Sequence, residues 1–229
     1  MESKLILLTL FVIVMLLMSQ THLKNKKKII FFGDSITEMG LLPGGYIQIF
    51  NNMLKQHHFN NLIGVGAGVS GNKIYDLYLR LQQDVIEQQP ALVVIFIGVN
   101  DVWHKLSHGT GTDAGKFEQF YTAIIQQLKQ QGIATVLCTI LSIGEKWQGQ
   151  NPQDEDIDLY NGIIRNLAVT HNLPLCDLRK AAIDYIQKNN TSNFDRGFLT
   201  KDGVHLNDVG NNLVATKIWD VLQTLPVMK

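Results

Sequence analysis

The chain has 229 residues, 45% hydrophobic and 17% charged, which suits one domain with a full core and is short for two. Twenty basic residues balance twenty acidic ones, but five bases and one acid fall in the first 28 positions, leaving 15 bases against 19 acids from Ile29 onward. A mildly acidic body argues against nucleic acid as a partner.

The first element is an apolar run from Leu5 to Met18, 14 residues interrupted only by Thr9 and preceded by Lys4. A membrane span wants about 20 residues, so this length matches the h-region of a signal peptide, and the protein is expected to be secreted or periplasmic. The alternative is an uncleaved anchor, with residues 5–18 as a membrane tether. Ser19-Gln20-Thr21 is a poor cleavage site, and Lys24 to Lys28 concentrates positive charge after the run. Residues 1–26 therefore form a signal or anchor segment, and 27–229 the domain. No cysteine lies near the run, which disfavours a lipid anchor.

Five strands are predicted: Lys28 to Phe32, Asn61 to Val65, Leu92 to Ile97, Ile133 to Leu141 and Leu173 to Cys176. They are continuously apolar, as in a parallel sheet covered on both faces. Between them run amphipathic helices. Their apolar stripes are Ile74, Leu77, Tyr78, Leu81 and Val85; Phe117, Phe120, Tyr121, Ile124, Ile125 and Leu128; and Tyr160, Ile163, Ile164 and Leu167. A last helix presents Val209, Leu213, Ile218 and Val221. The alternation predicts an α/β doubly wound domain whose ligand site lies beyond the carboxyl ends of the strands. Val102 to Gly115 and Ser142 to Asp154 read as long loops at the rim of that site.

Three strand ends carry polar residues on that edge. Ser35 follows the first strand in Gly33-Asp34-Ser35, an arrangement equally ordinary for a turn or cap. It lacks the Gly-x-Ser-x-Gly elbow, since position 37 is Thr, which disfavours the α/β-hydrolase fold. Gly66-Ala67-Gly68-Val69-Ser70-Gly71 matches a dinucleotide fingerprint on pattern. The acids about 20 positions on, Asp84 and Glu87, fall at a helix end instead of a strand end, so a nucleotide site is weakly supported. Backbone amides at the glycine turn, with the Asn100 side chain, instead suit an oxyanion. Near the far end, Asp202-x-x-His205 lets one loop deliver a base and the carboxylate that orients it; a hydroxyl nucleophile needs both.

Gly33-Asp34-Ser35-Ile36, Gly68-Val69-Ser70-Gly71-Asn72, Gly98-Val99-Asn100-Asp101 and Asp202-Gly203-Val204-His205-Leu206-Asn207 together resemble the four sequence blocks of the GDSL, or SGNH, hydrolase family. The resemblance spans Gly33 to Asn207. It implies a three-layer α/β/α sandwich with a five-stranded parallel sheet, flavodoxin-like in outline. It implies Ser35 as nucleophile, His205 as base, Asp202 as its orienting partner, and an oxyanion hole of Ser35 N–H, Gly71 N–H and the Asn100 amide. No cofactor or metal is required. Where many members carry Asn-Arg before the second-block glycine, this chain has Gly66-Ala67, which puts in doubt any contact made by that pair. Gly44-Gly45-Tyr46, Val102-Trp103 and Leu199-Thr200-Lys201 look more like the lysophospholipase L1-like or carbohydrate-acetyl esterase members than like large lipases.

The expected reaction is hydrolysis of a carboxylic ester through an acyl-enzyme, with a short acyl group such as acetyl on a saccharide or small alcohol. The alternatives are a lysophospholipase or thioesterase, an acyltransferase using the same triad, and a non-catalytic carbohydrate- or lipid-binding domain, which would show a lost triad residue. Trp103 and Trp147 lie in the two long loops and could wall an acyl or sugar pocket. His104 and His108 have helical metal spacing but lack a third ligand. Cys138 and Cys176, the only cysteines, read as buried thiols. Asn189-Asn190-Thr191-Ser192 holds two overlapping glycosylation sequons, and Asp154, Glu155, Asp156 and Asp158 read as a helix N-terminal charge cluster.

Overall fold

A computed structural model describes residues 26–228. The signal or anchor assignment to residues 5–18 lies outside them. Five parallel strands, β1 (Lys27–Gly33), β2 (Leu62–Gly68), β3 (Leu92–Phe96), β4 (Ala134–Cys138) and β5 (Leu175–Cys176), form one sheet in the order β2-β1-β3-β4-β5. Ile29 to Phe32 and Leu92 to Phe96 are buried on both faces, which is why these strands read as unbroken apolar runs.

Among the described residues eight α-helices accompany the sheet: α1 (Ser35–Met39), α2 (Tyr46–Gln56), α3 (Ile74–Asp84), α4 (Val99–Ser107), α5 (Ala114–Gln130), α6 (Asp154–His171), α7 (Leu178–Asn189) and α8 (Asp208–Leu222). The chain moves one way along the sheet from β1 to β2 and the other way from β2 onward. Right-handed crossovers therefore place α2 on one face and α3, α5 and α6 on the other. α8 packs on α2 and on α7, while α5 packs on α3 and α6, completing three layers. Aromatic edges seal the first interface: Phe31 meets Tyr46 at 5.7 Å and Phe50 at 5.2 Å, and Trp219 of α8 meets Phe50 at 5.9 Å. On the opposite face Phe117 packs against Tyr160 at 4.9 Å.

The register decides where the site can be. Gly33 pairs with Gly68 on one side and Phe96 on the other, and Phe96 pairs with Cys138, so four strands end on one row. The direction of winding reverses between β1 and β3, at the switch point where such sheets hold ligands. Glycine is needed at two of these ends. A Cβ on Gly33 would overlap the Phe96 carbonyl and the Thr37 hydroxyl, and one on Gly68 would overlap the Glu38 amide, so α1 could not seat against the sheet.

Several expectations need correction. Val102 to Ser107 is helical, as the body of α4; Val99 and Val102 bury one side while Gly98, at φ 120°, breaks the strand ahead of them, so the loop shrinks to His108–Asp113. Trp103 is consequently a helix residue. β4 stops at Cys138 because the apolar positions beyond it, Ile140 and Leu141, serve loop packing, and β5 begins only at Leu175. Val209 of α8 is exposed, and the buried stripe instead runs through Val214, Ala215, Ile218, Trp219 and Leu222. Gly66 and Gly68 are strand residues, which leaves no glycine turn there for a pyrophosphate. Asn190 is fully buried with its amide donating to Glu145 and Phe194 carbonyls, so of the two sequons only Asn189 presents an exposed acceptor in the folded protein.

Cys138 and Cys176 are free, buried, and register neighbours on β4 and β5; burial and the neighbouring thiol push the Cys138 thiol well above the usual range. Among the described residues no helix is long and apolar enough to cross a membrane.

Candidate active site

Ser35 is the first residue of α1, two positions beyond the end of β1, and is 6% exposed. Asp34 caps that helix, its Oδ1 accepting from Ile36 N–H at 3.0 Å. Burial pushes the Asp34 carboxyl up to about 7, and the nearby Asp101 adds to the rise against the lowering effect of the Ile36 amide and Arg80.

The loop from Leu199 to Asn207 carries Asp202 and His205. Thr200 and Leu206 form an antiparallel bridge, and Lys201 N–H donates to the His205 carbonyl at 2.8 Å. Gly203, at φ 96°, turns the chain between them. Ser35 Oγ lies 3.0 Å from His205 Nε2, and His205 Nδ1 lies 2.7 Å from Asp202 Oδ2. The other Asp202 oxygen accepts from Val204 N–H at 3.0 Å and His205 N–H at 2.8 Å. Partial burial pushes the Asp202 carboxyl up, but these hydrogen bonds, the His205 ring first among them, outweigh it and hold the group below the usual range. A carboxylate on Nδ1 fixes the tautomer that leaves Nε2 free to take the serine proton.

The turn after β2 supplies the other side. Gly71 has φ 79° and open space where a Cβ would point. Neither Ser35 N–H nor Gly71 N–H finds a protein acceptor among the described residues. Asn100, 2% exposed in the first turn of α4, donates one Nδ2 hydrogen to the Asn72 carbonyl at 3.0 Å and keeps a second. Donors without a protein acceptor thus follow three strand ends near the Ser35 hydroxyl, a kind of arrangement that can stabilise a tetrahedral oxyanion. Trp103 stands edge-on to the His205 ring at 6.2 Å.

Three further residues hold this frame: Arg80 and Glu145, which the sequence did not single out, and Asp101, which it placed in a motif without a role. Arg80 of α3 donates to the Gly33 carbonyl at 2.7 Å, the Ala67 carbonyl at 3.1 Å and Asn72 Oδ1 at 2.7 Å, tying the ends of β1 and β2 to the Gly71 turn. Asp101 accepts the Ile74 amide on both oxygens at 3.2 Å, fixing α3 to α4; burial raises its carboxyl to about 6. Glu145, 1% exposed, accepts from the amides of Phe198 at 2.7 Å, Leu199 at 2.8 Å and Thr200 at 2.6 Å, and from Thr200 Oγ1 at 2.7 Å. It anchors the segment that leads into Asp202. The sequence gives no signal for it, since Glu145 lies in a loop that also holds Lys146, Gln148, Gln150, Asn151 and Gln153. The rings of His104 and His108, at the C-terminal end of α4, meet at 4.5 Å tilted by 53°, and among the described residues no group of three metal-ligating side chains forms.

The model of the GDSL-like lipase/acylhydrolase family matches residues 31–213, most of the described domain. The chain belongs to this family. An acetylxylan esterase of Geobacillus stearothermophilus is 28% identical over 169 residues, covering 68% of this chain and 77% of its own. The uncharacterized lipoprotein YqeF of Bacillus subtilis (strain 168) is 24% identical over 218 residues, or 86% and 90% of the two chains. Among solved structures, the acetyl xylan esterase AlAXEase is 55% identical with a TM-score of 0.84, covering 85% of this chain and 99% of its own. Axe2, an acetylxylan esterase from Geobacillus stearothermophilus, gives 25% and 0.76, covering 85% and 93%. As a GDSL-family member with these relatives, the protein is a serine ester hydrolase.

Proposed function

We propose that this esterase removes acetyl groups from a saccharide, with Ser35 as nucleophile, His205 as general base and acid, and Asp202 as the group that orients His205. The observation that carries the roles is the unbroken chain Ser35 Oγ, His205 Nε2, His205 Nδ1, Asp202 Oδ2 at 3.0 and 2.7 Å. The saccharide is supported by the acetylxylan esterases among the relatives. The apolar run of residues 5–18 supports action outside the cytoplasm, where polymeric saccharide is met.

Ser35 Oγ attacks the acetyl carbonyl while Nε2 of His205 accepts its proton. The developing oxyanion sits against Ser35 N–H, Gly71 N–H and the free Asn100 amide hydrogen. The imidazolium, stabilised by Asp202, protonates the sugar oxygen as it leaves, and the C–O bond to the sugar breaks. Water, deprotonated by the same nitrogen, then attacks the acetyl-Ser35 carbonyl, and acetate departs as Ser35 recovers its proton.

The test compares wild type with Ser35→Ala and His205→Ala on 4-nitrophenyl acetate and on acetylated xylo-oligosaccharide. Each variant is expected to lose at least roughly a thousandfold in kcat/KM. Near wild-type activity in either removes the triad. A preference of the wild type for long-chain 4-nitrophenyl esters over the acetyl ester removes the short-acyl reading.

A further inference from the structure

A second concavity lies apart from the catalytic residues. It has a volume of about 420 Å3, sits between the Ser142–Asn151 loop and α7, and is lined by none of Ser35, Gly71, Asn100, Asp202 or His205. Ala182, Ile183 and Ile186 make one apolar wall on α7. Trp147 lines it as well, 42% exposed yet held in place, its indole Nε1 donating to the Asn190 carbonyl at 2.8 Å and its amide to Asn193 Oδ1 at 2.8 Å. Gln148 and Gln187 bring exposed amides to the rim. Ser142, also in the lining, is more than nine-tenths buried, and its Oγ has no hydrogen-bond partner among the described residues.

The charges of the lining are almost fully committed elsewhere. Arg179 is paired with Asp154 and Asp158, both at 2.8 Å, and Glu145 is saturated by its four donors, which leaves the exposed Lys146. Such a cavity has no strong preference for an anion or a cation. It offers a fixed aromatic face, an aliphatic wall and neutral donors and acceptors, in the size range of a small-ligand site. That combination matches a pyranose ring, whose C–H faces pack on apolar surface while its hydroxyls meet amides.

We propose that this cavity is a second saccharide site, which holds a neutral, unesterified stretch of oligosaccharide while an acetylated unit lies at Ser35. The choice of ligand rests on the saccharide reading above. The cavity and the catalytic loop are physically one piece, since Gly144 N–H donates to the Gly203 carbonyl at 2.8 Å and Glu145 holds residues 198–200. A chain bound there would be held beside the loop that carries Asp202 and His205.

The test titrates xylotetraose, which has no ester, into the full chain carrying Ser35→Ala, with isothermal calorimetry as readout. The same titration is repeated with Trp147→Ala, with the pair Gln148→Ala and Gln187→Ala, and with Trp103→Ala added. Loss of the aromatic face is expected to weaken binding by about tenfold. The glutamine pair, on the surface and outside the core, is expected to weaken it severalfold and decides the matter if Trp147→Ala disturbs its loop. No saturable binding overturns the proposal, as does an affinity that falls with Trp103→Ala but not with the cavity variants, which would place the sugar at the catalytic site. Deacetylation of oligosaccharide by the wild type is scored separately, so the cavity can fail while the esterase reading stands.

Discussion

Replacing Glu145 should damage both stability and catalysis, although it touches neither Ser35 nor His205. Its carboxylate is 1% exposed and takes four hydrogen bonds of 2.6 to 2.8 Å from Phe198, Leu199 and Thr200. Bonds to a charged acceptor contribute about 1.5 to 3 kcal/mol each, but four made by one group are far from additive. In Glu145→Ala three amides and a hydroxyl lose their acceptor where Leu199 and Thr200 are fully buried, a loss of about 4 kcal/mol. Glu145→Gln retains the oxygen that serves Leu199 and Thr200 and turns an NH2 toward the Phe198 amide, so it should cost about 2 kcal/mol. Urea unfolding gives both values. Because the segment leads directly into Asp202, a displacement of about 1 Å would lower kcat/KM for 4-nitrophenyl acetate by up to about a hundredfold under conditions where each variant is folded. A Glu145→Ala protein within about 0.5 kcal/mol of wild type and equally active would show that the loop holds its shape without this anchor.

Asn100→Ala should lower kcat by about a hundredfold or more while leaving KM for a small ester little changed, since its free amide hydrogen is used only as the oxyanion forms; steady-state kinetics decide it. Arg179→Ala strands the buried Asp154 carboxylate, whose own burial pushes it up but which the Arg179 hydrogen bond and Asn151 hold low, and should destabilise the fold by about 3 to 5 kcal/mol in urea. For Asp34 the sign is set by a folded carboxyl at about 7 against an ordinary value of 3.8: the folded state binds the extra proton between them, so stability falls as pH rises through that window. Asp101, at about 6, adds a loss of the same sign. Asp34→Asn removes the first loss, so its urea midpoint should gain on wild type between about pH 4 and pH 8; a constant difference would rule out the buried carboxyl as the cause. Asp202, held low, acts oppositely: its contribution is present above its ordinary value and fades as acid protonates it, which acid titration of Asp202→Asn against wild type will show.

The sheet was legible because its strands are buried on both faces and so read as unbroken β-branched runs, and because Ser35, Gly71 and Asn100 each follow such a run. The end of β4 was not, since the apolar residues after Cys138 continue into loop packing that no periodicity distinguishes from strand. α4 was hidden for a different reason. Its nine residues include Asn100, Asp101 and Trp103 directed to neighbouring elements, which leaves too short an apolar stripe to register. Ser35, Asp202 and His205 announced themselves by local motif. Arg80 and Glu145 did not, because they hold the strand ends and residues 198–200 largely through main-chain carbonyls and amides, and such a group leaves no trace in the residue that carries it.

The serine and the histidine that face each other are 170 residues apart in sequence, and α8, next after the histidine loop, packs back on α2 near the serine. Bringing Ser35 and His205 together thus requires closing a loop of 170 residues. During refolding, secondary structure and strand pairing among β1 to β3 can recover while ester turnover is still absent, so the return of activity times the docking of α8 instead of the formation of the sheet.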